Sequence, residues 1–483
     1  MDHRPYGLRQ WLAEQMRGSI SWLLSMLIHM AVVLILVWWS VPGGAPGPEG
    51  GVLLLEPDPE IVIPEGVFSV EPTVTSEVEV ASLDSMPTDP QEMVAPLLVA
   101  PELTTEADVQ VTPTETSLLH STAELSHQLP AENGGGFDGR SGDMQRQLLL
   151  TRGGSDATED AVARALAWIA AHQNDDGWWS FDHHQSPQGT SSPNPGKRET
   201  TTGATGMALL PFLGKGYTHL SDNPYRETVE RGLYYLKGQQ IITQNGGDLQ
   251  DGSMYGHGLA TIALCEAYAM TEDPSLRTAA QESLRFIEFA QHSKGGWRYT
   301  PGEPGDTSVF GWQLMGMKSG LLGGLRVSST TIGMSEHFLD TVQAGDGAYY
   351  GYMGPGKGPT TTSVGLLCRM YLGWPREDPR LEQGMEFLAE RGPSKSDMYF
   401  NYYATQVLAH HGGPRWDKWN EELSQHLVNT QSKKTYEAGS WYFQDQHAKV
   451  GGRLYCTCLA TMILEVYYRH MPLYTEDSID FRF

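Results

Sequence analysis

The chain has 483 residues and a formal net charge of −25 at pH 7, with 58 Asp and Glu against 33 Lys and Arg. Its length allows two or three domains, but its uneven composition indicates one compact domain in the C-terminal part. Residues 43–135 contain seventeen Asp or Glu and no Lys or Arg. Proteins hold nucleic acids mainly by neutralising phosphates with Lys and Arg, so we expect no nucleic-acid partner.

Residues 20–41 form a run of 22 residues without a formal charge. At about 1.5 Å per residue this run crosses the ~30 Å hydrocarbon layer of a membrane, and we predict a transmembrane helix. A cleaved signal peptide is the alternative, but no clear cleavage site follows the run. Arginines occur in residues 1–19 and then not again until Arg140. This asymmetry predicts a single-pass inner-membrane protein with a cytoplasmic N-terminus and a periplasmic or otherwise extracytoplasmic C-terminal domain.

His29 lies near the middle of the predicted span, where polar side chains are costly and usually functional, and Ser25 precedes it by one helical turn. The run LLSMLIHMAVV resembles the anchor of the energy-transducing protein TonB, whose Ser-x-x-x-His pattern contacts the ExbB/ExbD proton channel. The resemblance is confined to the anchor and implies that Ser25 and His29 contact an ExbB/ExbD-like partner. The alternative is a neutral histidine bonded to a helix backbone or to an unrelated helix.

Residues 42–136 are rich in Pro, Glu, Thr, Val and Ser and lack helical periodicity. Proline removes backbone donors and like charges repel, so we predict a disordered, extended spacer. Residues 137–158 are predicted to form a hinge with one short helix, and residues 159–483 a folded domain.

A repeat begins at Arg164, where RALAWIAAHQNDDGWW places an aromatic and an aliphatic residue before a Gln, a Gly and a Trp. Related copies recur at intervals of 39 to 67 residues, and each is followed by a second helix that is apolar nearly all round. Six amphipathic outer helices around six buried inner helices predict an all-α, six-hairpin (α/α)6 toroid. An open solenoid is the alternative, but it requires polar capping repeats, which we do not find. We expect Gln to bond the free carbonyls of the outer helix, Gly to permit the turn and the aromatic to cover the helix end.

The copy at residues 164–179 matches the QW motif of squalene–hopene and oxidosqualene cyclases, and most of residues 159–471 can be laid on this repeat. The resemblance implies the toroid of terpenoid cyclases, which protein prenyltransferases and complement-like thioester domains share. A fold with several activities does not fix the function.

The motifs of those enzymes are not intact. Class II cyclases protonate an alkene with the middle Asp of Asp-x-Asp-Asp-Thr, whereas the run Glu-Pro-Gly-Asp-Thr here puts Gly305 at the donor position and Asp306 before the Thr. The stretch LYCTCLATM resembles the zinc-binding helix of prenyltransferases, but Leu454 occupies the position of the His ligand. The Gly-Cys-Gly-Glu-Gln sequence of thioester proteins does not occur.

Each of the four cysteines lies in an apolar run, which indicates buried thiols and not disulfides. The weak candidates for a metal site are Asp445, His447, Cys456 and Cys458, whose spacing fits no standard site. We therefore expect packing roles for them, and no metal or cofactor.

Polar residues just before the inner helices converge on one end of the predicted ring, its mouth. The candidates for a binding pocket there are Glu199, Thr202, Asp251, His257, Asp306, Trp312, Asn401, Tyr402, Arg453 and Tyr455. Asp306 and His257 are also the candidates for catalysis, although Asp306 is equally explained as a helix N-cap. No nucleophile–base pair at a recognisable spacing supports chemistry.

Three functions remain open at this point. The first is a membrane-anchored, exported binding or scaffold module without cyclase activity, whose ligand is an isoprenoid or a glycan. The second is an isoprenoid-processing enzyme of the cyclase or prenyltransferase type with a rearranged site. The third is an envelope protein coupled to an ExbB/ExbD-like proton channel.

Overall fold

A computed structural model describes residues 136–471, 473–474 and 483 of the chain. The predictions for residues 1–19 and 20–41, with Ser25 and His29, lie outside this part, as does almost all of the predicted spacer. Among the described residues, no helix is both long enough and apolar enough to cross a membrane.

The described chain is mostly helical, with a first helix α1 (Gly142–Thr151) that follows the short 3-10 turn Asp138–Arg140. Six outer helices come next in alternation with six inner ones. The outer helices are α2 (Asp156–Ala171), α4 (Arg226–Gln239), α6 (Pro274–Ala290), α8 (Ser329–Val342), α10 (Pro379–Arg391) and α12 (Pro414–Thr430). The inner helices are α3 (Thr201–Gly214), α5 (Met254–Thr271), α7 (Thr307–Leu322), α9 (Pro359–Tyr371), α11 (Met398–His411) and α13 (Gln446–Leu464). A short helix, α14 (Val466–Arg469), ends the series.

The inner helices form a closed ring. Each packs against the next in chain order, from α3 through α5, α7, α9 and α11 to α13, and α13 then packs against α3. The outer helices close as well, since α12 contacts α2. These contacts confirm the prediction of a toroid and exclude the open solenoid.

Two parts of the fold differ from the all-α prediction. Antiparallel hairpins join β1 (Ile241–Thr243) to β2 (Gly246–Asp248) and β3 (Gln343–Ala344) to β4 (Tyr349–Tyr350). Strands of two or three residues are too short to produce an alternating pattern in the sequence. Helix α13 also begins before its apolar run, and its backbone departs from helical geometry at Gly452, where φ is 66° and ψ is −163°.

Small residues let adjacent inner helices lie close together. A Cβ at Gly206 of α3 would lie 2.6 Å from the backbone nitrogen of Ala260 in α5. The inner helices are buried along almost their whole length, because both the ring interior and the outer layer cover them. The Gly-rich, apolar composition of these segments thus follows from their position between two packed layers.

The repeated loop motif is a structural staple, but its bonds differ from those predicted. The Nε1 of Trp179 donates to the carbonyl of Ile169 in the last turn of α2, at 2.8 Å. Gln173 instead donates to the loop carbonyl of Gly177, at 2.8 Å, and to Thr228 in the next outer helix, at 2.9 Å. The aromatic residue therefore satisfies the outer helix, while the glutamine ties this repeat to the next.

The sixth copy of this staple joins the two ends of the ring. The Nε2 of Gln431 donates to Gly439 in its own loop and to Ala161 in α2, both at 2.8 Å. Its Oε1 accepts from the Nε of Arg164, also at 2.8 Å. The interaction that links neighbouring repeats elsewhere thus links the last repeat to the first.

At the basal end of the ring, where the inner helices finish, buried ion pairs occupy part of the centre. Glu266 forms ion pairs with Arg140 at 2.7 Å and with Arg469 at 3.2 Å, and all three are buried. Arg140 also donates to the carbonyl of Leu213, and Arg469 to that of Leu210. The segments before α1 and after α13 therefore close the basal end.

Candidate functional site at the mouth of the ring

The mouth, where the inner helices begin, is built from N-caps. Side-chain oxygens of Thr200, Ser253, Asp306, Asp397 and Asp445 each accept a hydrogen bond from a first-turn amide of α3, α5, α7, α11 and α13 respectively. Three of the five caps are carboxyl groups, so they offset the partial positive charge of the helix N-termini. The mouth is therefore polar without being an anion site.

Asp306 is the buried carboxyl group at the centre of this arrangement. Its Oδ1 accepts hydrogen bonds from the amides of Ser308 and Val309, both at 2.9 Å. Its Oδ2 is buried without a well-formed hydrogen bond in the described chain, and the Nε of Arg298 lies 3.8 Å from it. Burial raises the pKa of Asp306 to about 7, although the amides, the charge of Arg298 and the hydroxyl of Tyr352 oppose this shift. Asp306 is thus both a helix cap and a group that titrates near neutral pH.

Two tyrosines and an arginine surround this carboxyl group. The hydroxyls of Tyr299 and Tyr352 are hydrogen-bonded to each other, and the guanidinium of Arg298 lies 4.9 Å from the centre of the Tyr299 ring. The first turn of α7 holds the Tyr352 loop, because the Oγ1 of Thr307 donates to the carbonyl of Gly351 at 2.6 Å. These contacts fix the two hydroxyl groups beside Asp306.

Aromatic rings complete the surroundings of Asp306. Tyr255 stacks on Tyr299 with 6.2 Å between ring centres, and Tyr399 lies 6.2 Å from Trp312 and 5.8 Å from the ring of His447. The hydroxyl of Tyr399 donates to a carbonyl in the first turn of α7, at 3.2 Å. Burial raises the pKa of Tyr255 and of Tyr399, so both hydroxyls stay protonated. We call the following set the mouth cluster: Tyr255, Arg298, Tyr299, Asp306, Tyr352 and Tyr399.

A second carboxyl group lies beyond Tyr399. The Oδ1 of Asp445 accepts from the amide of Ala448 at 2.7 Å, and its Oδ2 is buried without a hydrogen bond among the described residues. Burial raises the pKa of Asp445, and Asp397 acts in the same direction. The hydroxyl of Tyr455 is likewise buried without a partner in this part of the chain. The rim next to α13 therefore offers hydrogen-bonding groups that the described protein does not use.

The weak metal candidates do not converge. Within residues 136–471, 473–474 and 483, no three His, Cys, Asp or Glu side chains are grouped so that they could hold a metal ion. Cys456 and Cys458 are buried, and burial raises the pKa of Cys456 to about 12, so it remains a thiol. Asp445 caps α13, and His447 stacks on Tyr399.

Aromatic side chains from two non-adjacent inner helices meet in the middle of the ring. Trp312 of α7 stacks on Tyr402 of α11 with 5.5 Å between ring centres, and Tyr403 meets it edge-on at 5.7 Å. All three side chains are buried. Because α9 separates α7 from α11 in the ring, this contact reaches across the interior. Trp312 and Tyr402, predicted as a pocket floor, therefore pack against each other.

Two of the other predicted residues brace the protein instead of facing a pocket. His257 is fully buried between α5 and α6. Its Nδ1 accepts from the amide of Leu249 at 3.1 Å, and its Nε2 lies 3.0 Å from the carbonyl of Ser283. Asn401 is also buried, and its amide bonds both the nitrogen and the oxygen of Ser394, at 2.8 Å each. Both polar ends of each side chain are used, which argues against the catalytic role predicted for His257.

The remaining predicted residues lie at the rim. Asp251 accepts hydrogen bonds from the amides of Thr201 and Thr202, at 2.6 and 3.3 Å, and so supports the start of α3. Arg453 bonds the carbonyl of Pro193 at 3.0 Å and holds a long loop against α13. Glu199 is exposed beside these groups.

Most of the mouth cluster was not among the candidates from the sequence. Tyr299 and Tyr352 occupy similar places in consecutive loops, each two residues after a buried aromatic, Trp297 or Tyr350. In an extended loop, residues two apart point the same way, but here the first aromatic is buried and the tyrosine reaches the mouth. This repeated spacing is the feature of the sequence that could have identified the two tyrosines.

Comparison with known proteins assigns the chain to no family and finds solved structures of low similarity. No protein-family model matches the chain, and no curated protein matches it. Among solved structures, the type II terpene cyclase MstE from Scytonema has 12% sequence identity and a TM-score of 0.45, over 65% of this chain and 98% of that one. The GH76A alpha-1,6-mannanase from Salegentibacter sp. HEL1_6 has 10% identity and a TM-score of 0.45, over 65% of this chain and 99% of that one. Closure of the ring is established by the helix contacts of this chain itself.

Proposed function

We propose that the toroid is a binding module whose mouth holds a neutral glycan chain. The observation that carries this proposal is the mouth cluster, in which tyrosine rings with fixed hydroxyl groups lie beside a buried carboxyl group. Flat rings that bear polar groups suit sugars, which have apolar faces and hydroxyl edges. The half-buried tyrosines Tyr255, Tyr299 and Tyr352 supply both kinds of contact.

The aromatic contacts across the interior favour a glycan over a long isoprenoid chain. A polyprene needs a deep apolar cavity, whereas Trp312, Tyr402 and Tyr403 occupy the space between α7 and α11. The carboxyl caps Asp306, Asp397 and Asp445 disfavour an anionic ligand. A neutral sugar chain that lies across the mouth satisfies both restrictions.

The test is calorimetric binding of neutral oligosaccharides to the full-length chain, with an acidic oligosaccharide for comparison. Substituting Tyr299→Ala should weaken binding roughly tenfold, about 1.4 kcal/mol, because it removes a ring and a hydroxyl. Tyr234→Ala is the matched control, since Tyr234 is a 44% exposed tyrosine on the outer helix α4. Equal affinities for the two variants, or no binding of any neutral glycan, rule the proposal out.

A second candidate, an enzyme with acid catalysis on an isoprenoid, is favoured by one observation. Asp306 has a buried Oδ2 without a well-formed hydrogen bond among the described residues and a pKa of about 7, which are the properties of a proton donor at neutral pH. Asp306→Asn keeps an oxygen for the N-cap and removes the acidic proton. This candidate function predicts that the full-length chain converts an isoprenoid alkene and that the Asp306→Asn variant does not. No conversion by the unaltered chain eliminates it.

We propose further that residues 20–41 anchor this domain to the inner membrane and that residues 42–136 hold it at a distance on the exported side. The uncharged run and the distribution of arginines in the sequence support this arrangement. Contact with an ExbB/ExbD-like partner predicts a crosslink that His29→Ala abolishes and Ser21→Ala retains. A crosslink unchanged by His29→Ala removes the motor-coupled hypothesis.

A further inference from the structure

The basal end of the ring contains a cavity of about 40 Å³. It lies at the opposite end from the mouth, next to the last turns of the inner helices. Its walls include Phe137, Met315, Lys318, Tyr371, His410 and His470. By volume the cavity has room for a water-sized group or one slightly larger.

Nitrogen atoms without partners line this cavity. Lys318 is 4% exposed and His410 is 5% exposed. Within the described chain, the Nζ of Lys318, both ring nitrogens of His410 and the Nε2 of His470 are buried and make no hydrogen bond. Buried polar atoms are normally satisfied, so several unsatisfied nitrogens around one cavity indicate a bound polar group.

The three side chains line the same cavity. The rings of His410 and His470 have 5.9 Å between their centres, and Tyr371 meets His410 edge-on at 6.0 Å. The Nζ of Lys318 lies 6.0 Å from the ring centre of Tyr371 and 5.0 Å from that of Phe483. The side chain of Lys318 thus lies near two aromatic rings and lines the cavity.

The charges around the cavity favour an anion. Arg140 and Arg469 already pair with Glu266, the carboxylate in the cavity wall. A third arginine, Arg152, lies close enough to lower the pKa of His410 and of His470, and Glu465 is paired with Arg469 at 3.6 Å. Within the described part of the chain, Glu266 and Glu465 are thus paired with arginines, and Lys318 forms no ion pair.

We propose that the basal cavity binds a small monovalent anion, of halide or formate size, between Lys318, His410 and His470. The ammonium group supplies the charge and the imidazole N–H groups donate hydrogen bonds. The site is independent of the mouth, so it stands whether or not the mouth binds a glycan.

The site predicts a dependence on pH. Burial lowers the pKa of Lys318 to about 7 and that of His410 to about 3. A bound anion stabilises the charged amine, so binding takes up a proton and strengthens as the pH falls through about 7. The other groups facing Lys318 are Tyr371, which burial keeps protonated, and the Glu266 ion pairs.

The test is titration of the full-length chain with chloride or formate at constant ionic strength, with gluconate as the balancing anion. Binding is followed by ³⁵Cl line width and by the shift in melting temperature. We expect saturable binding that is stronger at pH 6 than at pH 8, and roughly tenfold or more weaker in Lys318→Met. Lys449→Met, at an exposed lysine, is the matched control and should bind as the unaltered chain does.

Variants at a second position distinguish loss of the site from misfolding. His410→Gln keeps a hydrogen-bond donor in place of the ring and should retain more affinity than His410→Leu. A response that is the same in Lys318→Met, or an equal response to neutral formamide, means that the cavity holds water or an uncharged group and overturns the proposal.

Discussion

The substitution Gln431→Leu tests both the staple and the closure of the ring. Gln431 is 4% exposed, and its amide donates to Ala161 at one end of the folded domain and to Gly439 at the other. Leucine has a similar size but no donor, so both carbonyls lose their partner. Gln173→Leu makes the same change between the first and second repeats, where the amide serves Gly177 and Thr228.

The expected loss of unfolding free energy follows from the number of buried carbonyl groups that lose their donor. A buried acceptor that loses its donor costs about 1–3 kcal/mol, so each variant, which leaves two such acceptors, should lose about 2–6 kcal/mol of unfolding free energy. Gln240→Leu is the graded control, because Gln240 is half-buried and donates to one carbonyl, that of Ala279. It should lose about 1 kcal/mol.

The assay is urea unfolding of the full-length chain, with the slope checked for constancy among the variants. In a closed ring, Gln431→Leu and Gln173→Leu lose similar free energy, since their surroundings match. A negligible loss for Gln431→Leu beside a normal loss for Gln173→Leu would show that the ends of the ring are not joined in solution, and the argument for closure would fail.

Four other substitutions test three separate parts of the structure. Burial raises the pKa of Asp306 to about 7, so the folded state binds an extra proton between about pH 4 and pH 7, and stability falls as pH rises through this window. Asp306→Asn should remove that fall. A pH profile of unfolding free energy that runs parallel to that of the unaltered chain would contradict this prediction. Gly206→Ala places a Cβ 2.6 Å from the backbone of α5 and should destabilise the fold by about 1–3 kcal/mol. Gly333→Ala, on α8, places a Cβ with nothing within 4 Å and should stabilise the fold by up to about 1 kcal/mol. Chemical denaturation compares the two variants. Trp297→Phe removes the 2.8 Å bond from Nε1 to the carbonyl of Ile287 and should cost about 1–3 kcal/mol in the same assay.

The paired helices could be predicted from the sequence because each carries its own periodic pattern. The inner helices α3, α5 and α7 begin and end within a residue or two of their apolar runs. The partners of the loop residues could not be predicted, since they depend on the neighbouring repeat. Gln173 bonds a carbonyl of α4, and nothing in the local sequence names that partner.

The candidate site shows the same limit. Asp306 was identified because a carboxyl group before an apolar helix is visible in the sequence, and the structure places it in the mouth as both a cap and a buried acid. His257 was chosen for its residue type, but the fold turns its ring between α5 and α6 and satisfies both nitrogens. Tyr399 was overlooked because its role depends on α7, α11 and α13 meeting in space.

The two ends of the ring differ in charge because every inner helix runs in the same direction. Helix N-termini carry partial positive charge and gather at the mouth, where Asp306, Asp397 and Asp445 cap them. Helix C-termini carry partial negative charge and gather at the base. There Arg469 donates to the carbonyl of Leu210 in α3, and other arginines bond the ends of α3 and α11. Carboxyl caps consequently gather at the mouth, and arginines that bond helix carbonyls gather at the base, where Glu266 and Glu465 pair with them. Within one fold, this polarity favours uncharged ligands at the mouth and a small anion at the base.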